Sequence, residues 1–179
     1  MKRLNEDINT GKLQGIYLLC GAEAYLRRQY RDRLKSAIVG DDTMNYHYFE
    51  GKNISVGEII DLAETLPFFA ERRLIVLENT QLFKSGGEQL ADYLEERAES
   101  TYFLFVEPET DKRSKLYRTI KAKGSIVEFS TQDEDTLTKW VMGMVKKEGK
   151  NISANNLRYL LEKSCNENFA FLACRAVSD

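Results

Sequence analysis

Residues 55–79, SVGEIIDLAETLPFFAERRLIVLEN, read as a capped helix, an apolar knuckle, a charged turn and a buried strand in direct succession. Ser55 with Glu58 three residues on has the spacing of a capping box, in which each side chain satisfies a backbone N–H left unpaired by the first turn. Val56, Ile59, Ile60, Ala63 and Leu66 recur at helical spacing and supply one apolar face. Pro67 is expected to end the helix, because it carries no N–H and pushes its predecessor out of the α region. After Glu71-Arg72-Arg73, the continuous run Leu74–Leu77 has the character of a strand covered on both faces.

The pattern repeats on either side. Towards the N-terminus, 1–12 reads as a short surface helix with Leu4 and Ile8 one turn apart. Gln14–Cys20 is a buried strand. Gly21 turns the chain into a helix carrying Leu26, Tyr30, Leu34 and Ile38, and 45–50 (NYHYFE) alternates like a strand closed by Gly51. Towards the C-terminus, Gly86-Gly87 precede a helix with Leu90, Tyr93 and Leu94 on one side. Thr101–Val106 is a buried strand, Ser114–Ala122 a short helix, and Ser125–Phe129 a fifth strand. Strands alternating with helices imply parallel pairing through right-handed crossovers, hence an α/β fold with a three-layer parallel sheet over 1–130. From Ser130 onwards the pattern is helical alone. Thr131 and Glu134 form a second capping-box signature, Leu137, Trp140, Val141, Met144 and Val145 follow one helical stripe, and 153–164 gives another helix with Leu157, Leu160 and Leu161 inward. A small all-helical domain over 131–179 is expected.

Composition narrows the function classes. A chain of 179 residues with a formal charge of −2 has no general basic field for nucleic acid. Cys20, Cys165 and Cys174 are odd in number and widely spaced, which is no disulfide framework and suits a reducing cytosol. No signal peptide or long apolar run is evident, so a cytoplasmic protein with no membrane partner is expected. His47 stands alone and the cysteines lack C-x-x-C spacing, so no metal site is expected. Ser, Cys and Thr candidates lack a base at recognisable spacing, and no catalytic residue is assigned.

The knuckle Leu66-Pro67-Phe68-Phe69 is the anomaly. Leaving two phenylalanines in water between elements forgoes about 1.5–3 kcal/mol each relative to full burial. Either they fold back onto this protein's own core, the usual fate of aromatic residues, or another protein buries them. The order of helix, L-P-F-F-A-x-R-R, buried strand and E-N resembles the delta subunit of the bacterial DNA polymerase III clamp loader. The likeness runs from LQGIYLLCGAEAYL through VEPETDKRSKLYRTIKAKG to about Cys165, while the tail NENFAFLACRAVSD departs from it. The resemblance implies an AAA+-like domain with a helical lid, and a collar domain that has no counterpart here. It also implies that Leu66, Pro67, Phe68 and Phe69 bind the beta sliding clamp, with Phe69 deepest, and open the ring. Implied partners are that clamp and the other loader subunits, the latter mainly through the collar. Arg72 and Arg73 are candidates for steering onto an acidic partner surface, or else a charge pair guarding an aggregation-prone strand.

An ATPase of this architecture would carry G-x-x-x-x-G-K-[ST] after its first strand, where glycines admit phosphate to backbone N–H groups, Lys meets the outer phosphates and the hydroxyl holds Mg²⁺. The matching stretch is 21–28, GAEAYLRR. Only Gly21 fits: Leu26 adds bulk, Arg28 cannot ligate a cation, and Glu23 repels phosphate. Glu78-Asn79 stand where a metal-binding acidic pair is expected. No cofactor is therefore assigned, and membership of a polymerase complex, not an activity of its own, is the expectation. An AAA+-like ATPase or nucleotide-regulated switch with an eroded motif, using Arg27 or Arg28, is the alternative. The run Asp111-Lys112-Arg113-Ser114-Lys115, with Lys121 and Lys123, is the densest basic patch, and DNA contact there is expected to be weak or indirect.

Overall fold

A computed structural model describes residues 2–130 together with 142–143, 145–146, 149, 153 and 155–156. The helical domain expected over 131–179 lies largely outside the described residues. The chain divides into two compact units, Met1–Ala22 with Arg27–Phe129, and Glu23–Leu26 with Ser130–Asp179.

The elements follow in the order α1 (Lys2–Thr10), β1 (Ile16–Cys20), α2 (Ala24–Ile38), β2 (Tyr46–Glu50), α3 (Val56–Glu64), β3 (Arg73–Glu78), α4 (Glu88–Glu95), β4 (Thr101–Glu107), α5 (Lys115–Lys123) and β5 (Ser125–Glu128). All strand pairs are parallel, in the spatial order β2-β3-β4-β1-β5. A parallel sheet needs helices on both faces, which is why β1 and β3 are buried along their whole length and read as unbroken apolar runs.

Side chains alternate across the sheet. Ile16, Leu18, Ile75, Leu77, Phe103 and Phe105 face one layer, packing with Ile59 and Ala63 of α3, Leu90 and Leu94 of α4, and Leu116 and Ile120 of α5. Tyr17 points the other way, and its hydroxyl donates to Asp7 of α1 at 3.1 Å. Burial and the adjoining carboxylate push the Tyr17 phenol well above its ordinary range. The Tyr30 hydroxyl and the Asn5 side chain bond one another between α2 and α1.

Parallel pairing collects all strand starts at one end of the sheet and all strand ends at the other. Arg73 and Thr101 are register partners at the first end; Glu78, Glu107, Cys20 and Glu128 lie at the second. At about 3.3 Å per residue the two ends of β3 are roughly 17 Å apart. The knuckle leads into the first end. The stretch matching a phosphate loop follows the second.

Candidate functional site

The knuckle begins where α3 stops. Ser55 Oγ accepts the Glu58 N–H at 3.3 Å and starts the helix, which closes at Glu64, two residues before the expected Leu66. Thr65 is already extended (φ −73°, ψ 144°), and its N–H and hydroxyl both donate to Leu62 O. Leu66 therefore leaves the apolar face assigned to it and stands 84% exposed. The restriction that Pro67 places on its predecessor is satisfied a residue early, because Thr65 caps the helix with its own side chain.

A helix end leaves carbonyls without partners. Here β3 and β4 supply them. The guanidinium of Arg73 donates to Leu62 O, to Thr65 O at 2.6 Å, to the Thr65 hydroxyl, and to Leu66 O at 3.0 Å. Thr101 Oγ1 donates to Ala63 O at 2.9 Å. Arg73 is buried, and burial lowers its pKa from the usual arginine value, yet its charge sits against the negative end of α3, where a cation is favoured. It is 5% exposed and not the surface charge that its sequence position suggests. Its planar fork reaches acceptors spaced along a turn, which a lysine ammonium could not do from one position.

The opposite side of the knuckle is held by Asn45. This fully buried residue accepts the Phe68 N–H on Oδ1 at 2.7 Å and donates Nδ2 to Phe68 O at 2.9 Å. Asp42 fixes the orientation of the amide, accepting Nδ2 at 2.7 Å and the backbone N–H groups of Met44 and Asn45 at 2.8 and 3.2 Å. These bonds, that of the Asn45 side chain foremost, hold the Asp42 carboxyl below its usual range. The Asn45 carbonyl in turn accepts from Leu74 N–H.

Between these supports Phe69 adopts a left-handed backbone (φ 49°) and is 95% exposed, with Phe68 56% exposed beside it. The two rings meet edge to face with centroids 4.6 Å apart. A phenylalanine at positive φ is sterically costly, so this geometry persists only because its surroundings impose it. Neither ring is core. Met44, next to Asn45, is also largely exposed. Arg72, the other candidate for steering, is half-buried and stacks on the Tyr102 ring, 5.6 Å from its centroid, with Arg97 also stacked on Tyr102 at 5.9 Å. His47 lies on β2 near Arg73; its Nε2 has no partner among the described residues, and burial with that neighbouring cation lowers its pKa. Asn45, Asp42 and Thr101 escaped the sequence reading. The Asp-x-Met-Asn turn before 46–50 was the available signal, since Asp there caps the backbone two residues on, but its reach to Phe68 spans 23 residues.

At the other end of the sheet, Gly21 has φ +114°, and a Cβ there would sit 2.2 Å from Phe129 O, so glycine is required by the turn itself. Arg27 Nη1 donates to Gly21 O, folding a guanidinium back onto the turn where phosphate would have to bind. Glu78 bonds Arg31 at 2.6 Å and accepts from the Tyr48 hydroxyl at 3.1 Å. Asn79 takes a left-handed turn (φ 54°), a conformation Asn tolerates better than most residues. Glu107, its pKa raised by burial, accepts from Thr80 N and Oγ1, each at 2.7 Å. In the basic patch, Arg113 pairs with Asp111, Lys112 with Glu128 and Lys115 with Asp92. Each of those three cations has a carboxylate partner at the surface.

The arrangement defines a three-layer α/β domain built on an all-parallel five-stranded sheet, and solved structures share that fold. The chain superposes on the DNA clamp loader delta protein of Bacillus subtilis with a TM-score of 0.76 at 22% identity, covering 99% of this chain and 56% of that one. It superposes on a DNA polymerase III gamma subunit-related protein of Thermotoga maritima with a TM-score of 0.52 at 16% identity, covering 97% and 70%. The family model for the DNA polymerase III delta subunit matches residues 17–130, and the chain belongs to that family. The DNA polymerase III subunit delta of Bacillus subtilis (strain 168) is 25% identical over 170 residues, 87% of this chain and 49% of that protein. The chain thus spans about half the length of that relative. No helix among the described residues is long and apolar enough to cross a membrane.

Proposed function

We propose that the knuckle Leu66-Pro67-Phe68-Phe69 is a plug that enters an apolar pocket on the beta sliding clamp, and that the protein uses it to open the ring for loading on DNA. The observation that carries this reading is Phe69, 95% exposed on a left-handed backbone at the tip of the knuckle. A rigid aromatic anchor surrounded by smaller apolar contacts is how binding hot spots are commonly built. Opening needs no chemistry of its own: a protein that binds the open or strained clamp more tightly than the closed ring shifts the population towards opening. Arg72, held on Tyr102 beside the plug, provides steering.

ATP hydrolysis is assigned elsewhere in the loader. Leu26 and Arg28 stand where a phosphate loop needs glycine and a hydroxyl, Arg27 Nη1 is engaged by Gly21 O, and Arg31 occupies Glu78, the carboxylate placed to hold Mg²⁺. The eroded-motif switch is disfavoured on the same ground. The segment after Ser130 is assigned to a helical lid, and the other loader subunits to contacts outside the domain described. DNA contact is weak or indirect, because Lys112, Arg113 and Lys115 of the 111–123 patch each face a carboxylate of this chain, and the protein acts in the cytoplasm as a component of the polymerase assembly.

The test is an equilibrium titration of purified beta clamp with the parent chain and with Phe69→Ala. Truncating a central anchor is expected to weaken binding by about 30-fold or more. Equal affinity for the two proteins overturns the assignment.

A further inference from the structure

We infer that Asn45 and Arg73 are positioning residues for the plug, forming a two-sided clasp that fixes Leu66–Phe69 in its binding shape before any partner arrives. This inference rests on the plug reading. Arg73 gathers the carbonyls of Leu62, Thr65 and Leu66 on the helix side, and Asn45 takes both the N–H and the C=O of Phe68 on the strand side. The one strained backbone unit of the knuckle, Phe69, follows directly after the residue that Asn45 grips.

The clasp is over-determined in a way that core packing alone does not require. Asn45 is fully buried without contributing apolar area, and its amide is oriented by Asp42 from outside the knuckle. Arg73 is a buried charge whose donors are committed to the helix end and the knuckle, with Nε left without a partner among the described residues. Buried polar groups with such specific partners serve to select one conformation among several. The left-handed Phe69 is the conformation selected.

The consequence follows from population arithmetic. If the knuckle reaches its binding shape only a fraction of the time, the apparent dissociation constant rises by the reciprocal of that fraction. Releasing one side of the clasp so that the shape is occupied about one-tenth of the time would weaken clamp binding about tenfold with every plug side chain still present. A plug ordered only on binding would show no such loss.

The experiment has a part that needs no substitution. Amide hydrogen exchange on the parent chain is expected to show the Phe68 N–H strongly protected and the neighbouring Phe69 N–H fast. An unprotected Phe68 amide overturns the inference whatever the variants do. The second part titrates purified beta clamp with Asn45→Ala, Arg73→Lys, Phe69→Ala and the double variant Asn45→Ala with Phe69→Ala, beside circular dichroism. Asn45→Ala and Arg73→Lys are expected to keep the native spectrum, expose the Phe68 amide and bind about tenfold more weakly. In the Phe69→Ala background Asn45→Ala is expected to cost clearly less than its roughly tenfold in the parent, since the main anchor that the clasp positions is gone. If Asn45→Ala does not fold, Arg73→Lys and the parent exchange pattern decide. Should Phe69→Ala lose binding while both clasp variants retain it within twofold, the clasp fails and the plug stands. Should Phe69→Ala bind like the parent, the plug reading fails and takes the clasp with it.

Discussion

Replacing Phe69 by glycine separates an interface anchor from a core aromatic by magnitude. A core phenylalanine costs about 3–5 kcal/mol when truncated. Phe69 is 95% exposed, so by area almost none of the 1.5–3 kcal/mol that full burial of a phenylalanine contributes is at stake. Its edge-to-face contact with Phe68 adds about 0.5 kcal/mol, at the low end for aromatic pairs because both rings are wet. Against that loss, glycine relieves a left-handed φ of 49°, a gain of about 1–2 kcal/mol, and gives back about 0.4–1 kcal/mol through the freer unfolded chain. The sum is close to zero, within about 1 kcal/mol of the parent in either direction. For a chain of this length that is a shift in Tm of no more than about 4 °C. Phe69→Gly is therefore expected to unfold in urea at nearly the parent midpoint while losing clamp binding by about 30-fold or more. Phe103→Ala, at a fully buried position, serves as the contrast and should lose about 3–5 kcal/mol. A loss above about 2 kcal/mol for Phe69→Gly would refute the reasoning, because it would put the ring inside.

His47 gives a pH dependence: its folded pKa lies below the ordinary 6.5, so the neutral form is favoured in the fold. Its contribution is complete above about pH 6.5 and is lost as the pH falls through the lowered folded value, so denaturation midpoints measured from pH 7.5 to 5 should decline, and His47→Gln should flatten that decline. Gly21→Ala is expected to destabilise the fold by more than about 2 kcal/mol in urea denaturation without added nucleotide, through the clash with Phe129 O and the φ of +114°. Arg72→Glu should slow association with the clamp several-fold at low salt and leave dissociation little changed, with the difference shrinking as salt rises in a stopped-flow series. Calorimetric titration with ATP and Mg²⁺ should give no saturable signal at micromolar concentration, whereas saturable binding would restore the nucleotide-switch reading.

The sheet was legible because its physics is local. Runs such as Ile16–Cys20 and Leu74–Leu77 must be buried on both faces, glycines at 21 and 51 mark the exits, and the alternation with helices leaves parallel pairing as the economical solution. The knuckle was legible as an anomaly for the same reason, since no period accounts for adjacent phenylalanines after a proline. What holds it was not legible. Arg73 reads as a surface charge beside Arg72 because nothing in its neighbours reveals that the carbonyls of α3 converge on it. Asn45 reads as the polar start of an edge strand, and its partner Phe68 is set by the crossover geometry of α3 between β2 and β3. Leu66 was assigned to the helix face because periodicity continues through it, while the Thr65 side chain ends the helix first. The same limit applies at the far end of the sheet: the sequence shows that GAEAYLRR is a poor phosphate loop, but not that Arg27 turns back onto Gly21.

Photo-crosslinking from the plug tests the central claim most directly. With p-benzoylphenylalanine in place of Phe69 and, as a control, in place of Tyr117 on α5, irradiation with the beta clamp followed by peptide mapping reads which surface meets which. The account expects an efficient crosslink from position 69 to residues lining one apolar pocket of the clamp, competed by unlabelled parent chain, and none from position 117. A crosslink from 69 that parent chain does not compete, or no crosslink in a complex shown by gel filtration to have formed, would contradict it.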